Sequence, residues 1–210
     1  MLFGSLFRKK VGGLIGCLGL EEFWLSCSDA EKKALNRYNQ GGLSTGKPLP
    51  LDEGTLTTSQ TQLGFLSAMI GWAESDKNYP LADKIIEAGM KAPIDSGNLL
   101  DAHYFWQNAA ECYYKQRDER DDAISRTIEM CQTDIDMFPK YSKPMKKEFG
   151  DIPRITTFSR LIIVYEKLGR IDDAIKVCKL ALKYKLKDNT KGGYEERLKK
   201  LEAKQEKSKT

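Results

Sequence analysis

TTFSRLIIVYEKLGRIDDAIKVCKLALKYKL, from Thr156 to Leu186, is the stretch that decides the fold. Phe158, Leu161, Ile162 and Tyr165 fall at i, i+3, i+4 and i+7, which is one face of a helix, and Gly169 with Arg170 interrupts the pattern. A second stripe starts at once, with Ile171, Ala174, Ile175, Cys178, Ala181 and Leu182 on one side. Two short amphipathic helices joined by so tight a turn form an antiparallel hairpin. Ala174 is small where the helices meet, and a large side chain there would overpack the contact at a cost of about 1–3 kcal/mol.

Working outward from this hairpin, a second copy of the pattern begins near Leu99. Trp106, Ala109, Ala110 and Tyr113 lie on its first helix, and after the polar turn KQRDERDD come Ala123, Thr127 and Met130. Tyr113 and Tyr165 are 52 residues apart, so an insertion separates the copies, most of it between Pro139 and Pro153. A weaker copy runs from about Gln62 to Ala92, with Phe65, Leu66, Met69, Ile70 and Trp72 on one helix and Ala82, Ile85, Ile86 and Met90 on the next. Pro80 is well placed to start that second helix. Ser28 and Glu31 make a capping box for a helix through Tyr38, and residues 40–56 read as a Gly- and Pro-rich loop. At the far end a turn over Thr190–Gly193 precedes a helix with Tyr194, Leu198 and Leu201 on its apolar stripe. Glu195 with Lys199, and Glu196 with Lys200, are spaced as i,i+4 pairs on its wet side.

The hairpin residues resemble the tetratricopeptide repeat (TPR), which places an aromatic, a Leu, a small residue and a Tyr on its first helix and Ala, an aromatic and Ala on its second. Phe158, Leu161 and Tyr165 match the first set, and Ala174 and Ala181 the second. Ile162, Cys178 and Leu186 depart from the small, aromatic and proline positions. The chain is also similar to a family of uncharacterised bacterial TPR-like proteins, on GGLIGCLGLEEFWLS (12–26), YEKLGRIDDAIKVCKLAL (165–182) and DNTKGGYEERLKKLE (188–202). The resemblance implies an all-α, TPR-like array of about three antiparallel hairpins. Residues 1–58 would form an N-terminal helical extension and loop, and residues 59–210 the repeat domain with its capping helix.

The resemblance also implies a function. In TPR arrays the concave face is lined by fixed positions of each first helix, which here are Tyr104, Gln107, Asn108, Glu111, Tyr114 and Lys115 in one copy. In the next copy they are Thr156, Ser159, Arg160, Ile163, Glu166 and Lys167. These are expected to face outward and bind a protein or peptide. Asn108 and Arg160 match two positions of the TPR carboxylate clamp, but Thr156 stands where that clamp has a Lys. The plain alternative is that these residues only solvate the face or pack against the long insertion.

Other chemistry finds little support. A chain of 210 residues with 40% hydrophobic and 30% charged residues fits one soluble helical body. The five cysteines are odd in number and widely spaced without a CxxC pair, which reads as reduced thiols in the cytoplasm, with Cys112, Cys131 and Cys178 as small core residues. His103 is the one histidine, and no cluster is spaced around it as a metal site requires. No run approaches the roughly 20 apolar residues of a membrane span. Leu14, Ile15 and Gly16 before Cys17 look like a lipoprotein cleavage box, but the apolar run after Lys10 has six residues where a signal core needs about 7–15. A short segment packed on the first helix is the competing reading.

Gly41 to Lys47 satisfies GxxxxGK, yet Pro48 replaces the Ser or Thr that would hold magnesium, and no strand precedes it. The carboxylate pairs Glu21/Glu22, Asp121/Asp122 and Asp172/Asp173 sit at helix starts, where they favour the helix dipole. No nucleophile elbow is present, so no catalytic, cofactor or metal site is expected. From Lys183 onward ten basic residues meet five acidic ones, and Glu195, Glu196, Glu202 and Glu206 interrupt the basic face that nucleic acid would need. The sequence thus predicts a non-catalytic scaffold module. The alternatives are a membrane-tethered lipoprotein carrying the same module, or a nucleic-acid-associated helical protein.

Overall fold

The computed structural model describes residues 11–39 and 50–207. Among these residues the only regular elements are ten helices. They fall into two compact units, one ending at Pro93 and the other starting at Ile94, so the sequence boundary at 58/59 lies inside the first. The GxxxxGK segment lies outside the described residues.

The first unit holds α1 (Gly13–Leu18), α2 (Glu21–Ser26), α3 (Asp29–Asn39), α4 (Gln62–Ser75) and α5 (Tyr79–Met90). The capping box forms as the sequence requires: Glu31 Oε2 accepts from Ser28 N at 2.6 Å, and Ser28 Oγ accepts from Glu31 N at 3.3 Å. The glycines before Cys17 have a packing role. Gly12 N donates to Asp52 O (3.0 Å), Gly13 N to Gly54 O (2.8 Å) and Ile15 N to Leu51 O (3.0 Å). Gly13 has φ +56, and a Cβ there would stand 2.5 Å from the Leu51 carbonyl. Only glycine permits so close a backbone clamp. Leu14, Ile15 and Leu18 are buried, and Cys17 is exposed.

On α4 the residues Phe65, Leu66, Met69 and Ile70 are buried as expected, but Trp72 is 48% exposed, and Met90 of α5 is 38% exposed. Both side chains lie toward the outer side of their helices. The buried arc of α4 runs through Leu63, Phe65, Leu66, Ser67, Met69, Ile70 and Ala73. Its outward strip carries Ala68, Gly71 and Ser75 rather than charges, so the sequence gives no polar marker for the wet side.

The second unit holds α6 (Leu99–Lys115), α7 (Ala123–Phe149), α8 (Thr156–Lys167), α9 (Ile171–Lys183) and α10 (Gly193–Lys207). Consecutive helices pack on one another, and α6 also touches α8. The expected core positions Trp106, Ala109, Ala110, Tyr113, Ala123, Thr127 and Met130 are buried, as are Phe158, Leu161, Ile162, Tyr165, Ala174, Ile175, Cys178 and Ala181. Gly169, at φ 72, closes α8: its N–H reaches Glu166 O at 3.2 Å and Arg170 N reaches Tyr165 O at 2.9 Å. That pairing is the Schellman stop which a left-handed residue after a helix supplies.

The insertion after Pro139 is not a separate loop. It prolongs α7 to 27 residues with Pro139 and Pro144 inside the helix. Met130, Cys131, Asp134, Ile135, Phe138, Tyr141 and Met145 keep one buried stripe running past both prolines. Phe138 anchors it, with ring centroids 5.7 Å from Phe158 and 4.7 Å from Tyr184. Burial of that stripe offsets the roughly 3 kcal/mol that an interior proline costs.

On α10, Tyr194 and Leu201 are buried and Leu198 is half-buried. The Cys178 thiol donates to the Tyr194 carbonyl at 3.2 Å, and burial pushes that thiol up to about 11. Lys200 pairs with Glu196 at 3.5 Å, whereas the expected Glu195–Lys199 pair does not form. Ties to other helices hold α10 instead, including Lys179–Glu202 at 3.1 Å. No helix of the described residues is long and apolar enough to cross a membrane.

Candidate functional site

Tyr114, in the last turn of α6, is the centre of the site. Its ring is buried, with 8% exposure, so it is a platform rather than the open contact residue the sequence pattern implied. Three cations gather on it: the Arg160 guanidinium lies 3.8 Å from the ring centroid, Arg117 4.6 Å and the Lys167 ammonium 6.0 Å. Arg160 also donates from Nη2 to Glu111 Oε2 at 2.5 Å, and Lys167 Nζ donates to the Tyr114 hydroxyl at 3.4 Å. Glu111 and Tyr114 come from α6 while Arg160 and Lys167 come from α8, so four of the residues expected from the sequence meet across two helices. A guanidinium stacked on an aromatic and paired to a carboxylate is held in one orientation, which suits recognition of planar or anionic groups.

Ser159 is not on this surface. It is buried, its Oγ donates to Thr156 O at 3.0 Å, and it accepts from Arg154 Nη2 at 3.4 Å. The outward expectation for Ser159 is therefore corrected. Ile155, Phe158, Ser159 and Ile162 are spaced i, i+3, i+4 and i+7 and form one buried ridge, which the small serine fits. Gln107, Asn108 and Ile163 are half-buried, while Lys115 and Tyr104 are exposed. Tyr104 stands ten residues before Tyr114, about 15 Å along the helix, beyond the cluster. Burial, and then the charge of Glu148, raise its phenol pKa. Glu166 is engaged by Lys204 of α10.

A second polar cluster escaped the sequence reading. Asp134 of α7, wholly buried, faces His103 Nδ1 of α6 at 2.8 Å through Oδ1. Its Oδ2 accepts from the Thr157 hydroxyl of α8 at 2.5 Å and from the Tyr141 hydroxyl at 3.2 Å. All four side chains are buried. Burial first, and Asp134 second, drive the Tyr141 phenol strongly upward. The signal for Asp134 was its place in the stripe Met130, Cys131, Asp134, Ile135, Phe138; its charge argued against burial. With no solvent access the cluster acts as a tie among three helices, satisfying the buried carboxylate as burial demands.

Cys27, Cys112, Cys131 and Cys178 are buried, and burial raises the Cys131 thiol far beyond its ordinary range. Among the described residues no group of three or more His, Cys, Asp or Glu side chains is arranged to hold a metal ion. No family model matches the chain, and comparisons with curated proteins and with solved structures find no significant match.

Proposed function

We propose that the chain is a non-catalytic, cytoplasmic binding module built from TPR-like hairpins, α4–α5, α6–α7 and α8–α9, with α1–α3 as a helical extension and α10 as a cap. It holds a protein or peptide on the face formed by α6 and α8. The observation that carries this reading is the Arg160–Tyr114–Glu111 contact with Lys167 beside it, because it fixes charged and aromatic groups from two helices on one surface. Interface energy concentrates in such Tyr and Arg residues. Gln107, Asn108, Lys115 and Ile163 would supply adaptable contacts around that centre, and Tyr104 would extend the face toward the start of α6.

The test is partner affinity. A partner captured from native cells and purified should bind the Tyr104→Ala/Arg160→Ala double variant at least about 2 kcal/mol more weakly, with helicity unchanged. Unchanged affinity in a folded variant would move the binding surface elsewhere.

The glycine clamp weighs against the lipoprotein alternative. Cleavage before Cys17 would remove Gly12, Gly13 and Ile15, whose N–H groups bind the 51–54 segment. Fatty-acid probe labelling of Cys17 in cells would restore that alternative.

A further inference from the structure

The motif DNTKGGYEERLKKLE has no part in the binding face described above, yet it builds a second charged feature. Asp188 has a fully buried side chain, and its Oδ2 accepts from both Arg197 Nε (3.2 Å) and Nη2 (3.0 Å). Its Oδ1 accepts from Thr190 N at 3.3 Å, which ties the turn to the same carboxylate. Arg197, with only 16% of its side chain exposed, is thereby locked in the wall of a cavity of about 530 Å³ between Glu166 of α8, the turn before α10, and α10 itself. Lys191, Lys200, Lys204 and Lys207 line the same cavity with Glu166 and Glu196, so with Asp188 behind Arg197 five cations meet three carboxylates. Glu166 and Glu196 engage Lys204 and Lys200, whereas Lys191 and Lys207 form no ion pair among the described residues.

We propose that this cavity is an oxyanion site for a ligand carrying two or more phosphate groups. Cations brought together from a turn and a helix repel one another, and a compact multivalent anion is the group that relieves several of those repulsions at once. A single carboxylate would neutralise one. The fixed Arg197 keeps further N–H donors beyond those given to Asp188, and the lysines supply point charges of the kind that bind phosphate. The cavity is within the size range of small-molecule sites. Lys140, Lys143 and Lys147 make an instructive contrast. They lie along the exposed side of α7, which is the ordinary solvated arrangement of a basic helix face.

Calorimetry of the full chain with pyrophosphate, at about 0.15 M salt to screen loose surface attraction, tests the proposal. Saturable binding is expected. Lys191→Ala/Lys207→Ala should weaken it about tenfold or more, and Glu166→Gln, which releases Lys204, should tighten it. Lys140→Ala/Lys143→Ala removes the same charge from α7 and should leave it unchanged. Absence of saturable binding, or an equal loss in the α7 variant, would overturn the site. Vesicles containing a bisphosphorylated inositol lipid form the second arm. Binding of pyrophosphate alone assigns a soluble phosphate ester, and binding of both, each weakened by the Lys191/Lys207 change, assigns a headgroup. Vesicle binding without pyrophosphate binding would contradict a built cavity.

Discussion

Two polar ties join α6 to α8, and they differ in almost everything but that. The Asp134 cluster, which also takes in α7, is fully buried and spends each of its hydrogen bonds on another protein group. The Glu111–Arg160 tie lies at the surface, with side chains 39% and 26% exposed, and rests on the Tyr114 ring. A buried carboxylate that loses its role leaves several desolvated groups unpaired, whereas a half-exposed pair that breaks is rehydrated by solvent. The first tie should therefore hold the fold, and the second can break with little loss of stability, as the proposed binding role requires.

The largest effect expected from this contrast is in Asp134→Ala. It strands His103, Tyr141 and Thr157 in the core and should cost about 3–5 kcal/mol in urea unfolding. A loss below about 1 kcal/mol would mean that the cluster is not a structural centre. Next comes Ala174→Leu, at the wholly buried contact of α9, which should cost about 1–3 kcal/mol. Ser159→Ala gives up only local hydrogen bonds and should cost about 1 kcal/mol or less. Equal shifts for the two would break the packing assigned to the α8–α9 hairpin.

Alkaline pH sharpens the same comparison. The folded state raises the Tyr141 phenol above its ordinary value of 10.0, so its contribution is fully present below that pH and is lost as pH rises above it. Tyr141→Phe should flatten that part of the alkaline unfolding profile, measured by circular dichroism, and a profile identical to wild type would contradict it. The smallest effect belongs to Glu111→Gln. It weakens a half-exposed pair and should move the unfolding free energy by less than about 1 kcal/mol.

The stripes of α8 and α9 were legible because apolar and charged residues alternate there with a clean helical period. The tail of α7 was not, since Pro139 and Pro144 argue locally against a helix that only tertiary burial sustains. The outward position of Trp72 was not legible because the outward strip of α4 has no charge to mark it. At the candidate site, Glu111, Tyr114, Arg160 and Lys167 were singled out by position. Their mutual contacts depend on how α6 meets α8, and no spacing within either helix encodes that. Ser159 failed for a related reason: a small polar side chain fits a buried ridge as readily as a wet face. Asp134 was hidden by its own charge, although its spacing within the α7 stripe was that of a core residue.

The most direct test is a joint measurement on Arg160→Ala of its urea unfolding free energy and its affinity for a purified partner. The account predicts a stability loss of about 1 kcal/mol or less together with a tenfold or larger loss of affinity, about 1.4 kcal/mol. Stability that falls as far as in Asp134→Ala, with affinity for the partner unchanged, would contradict it.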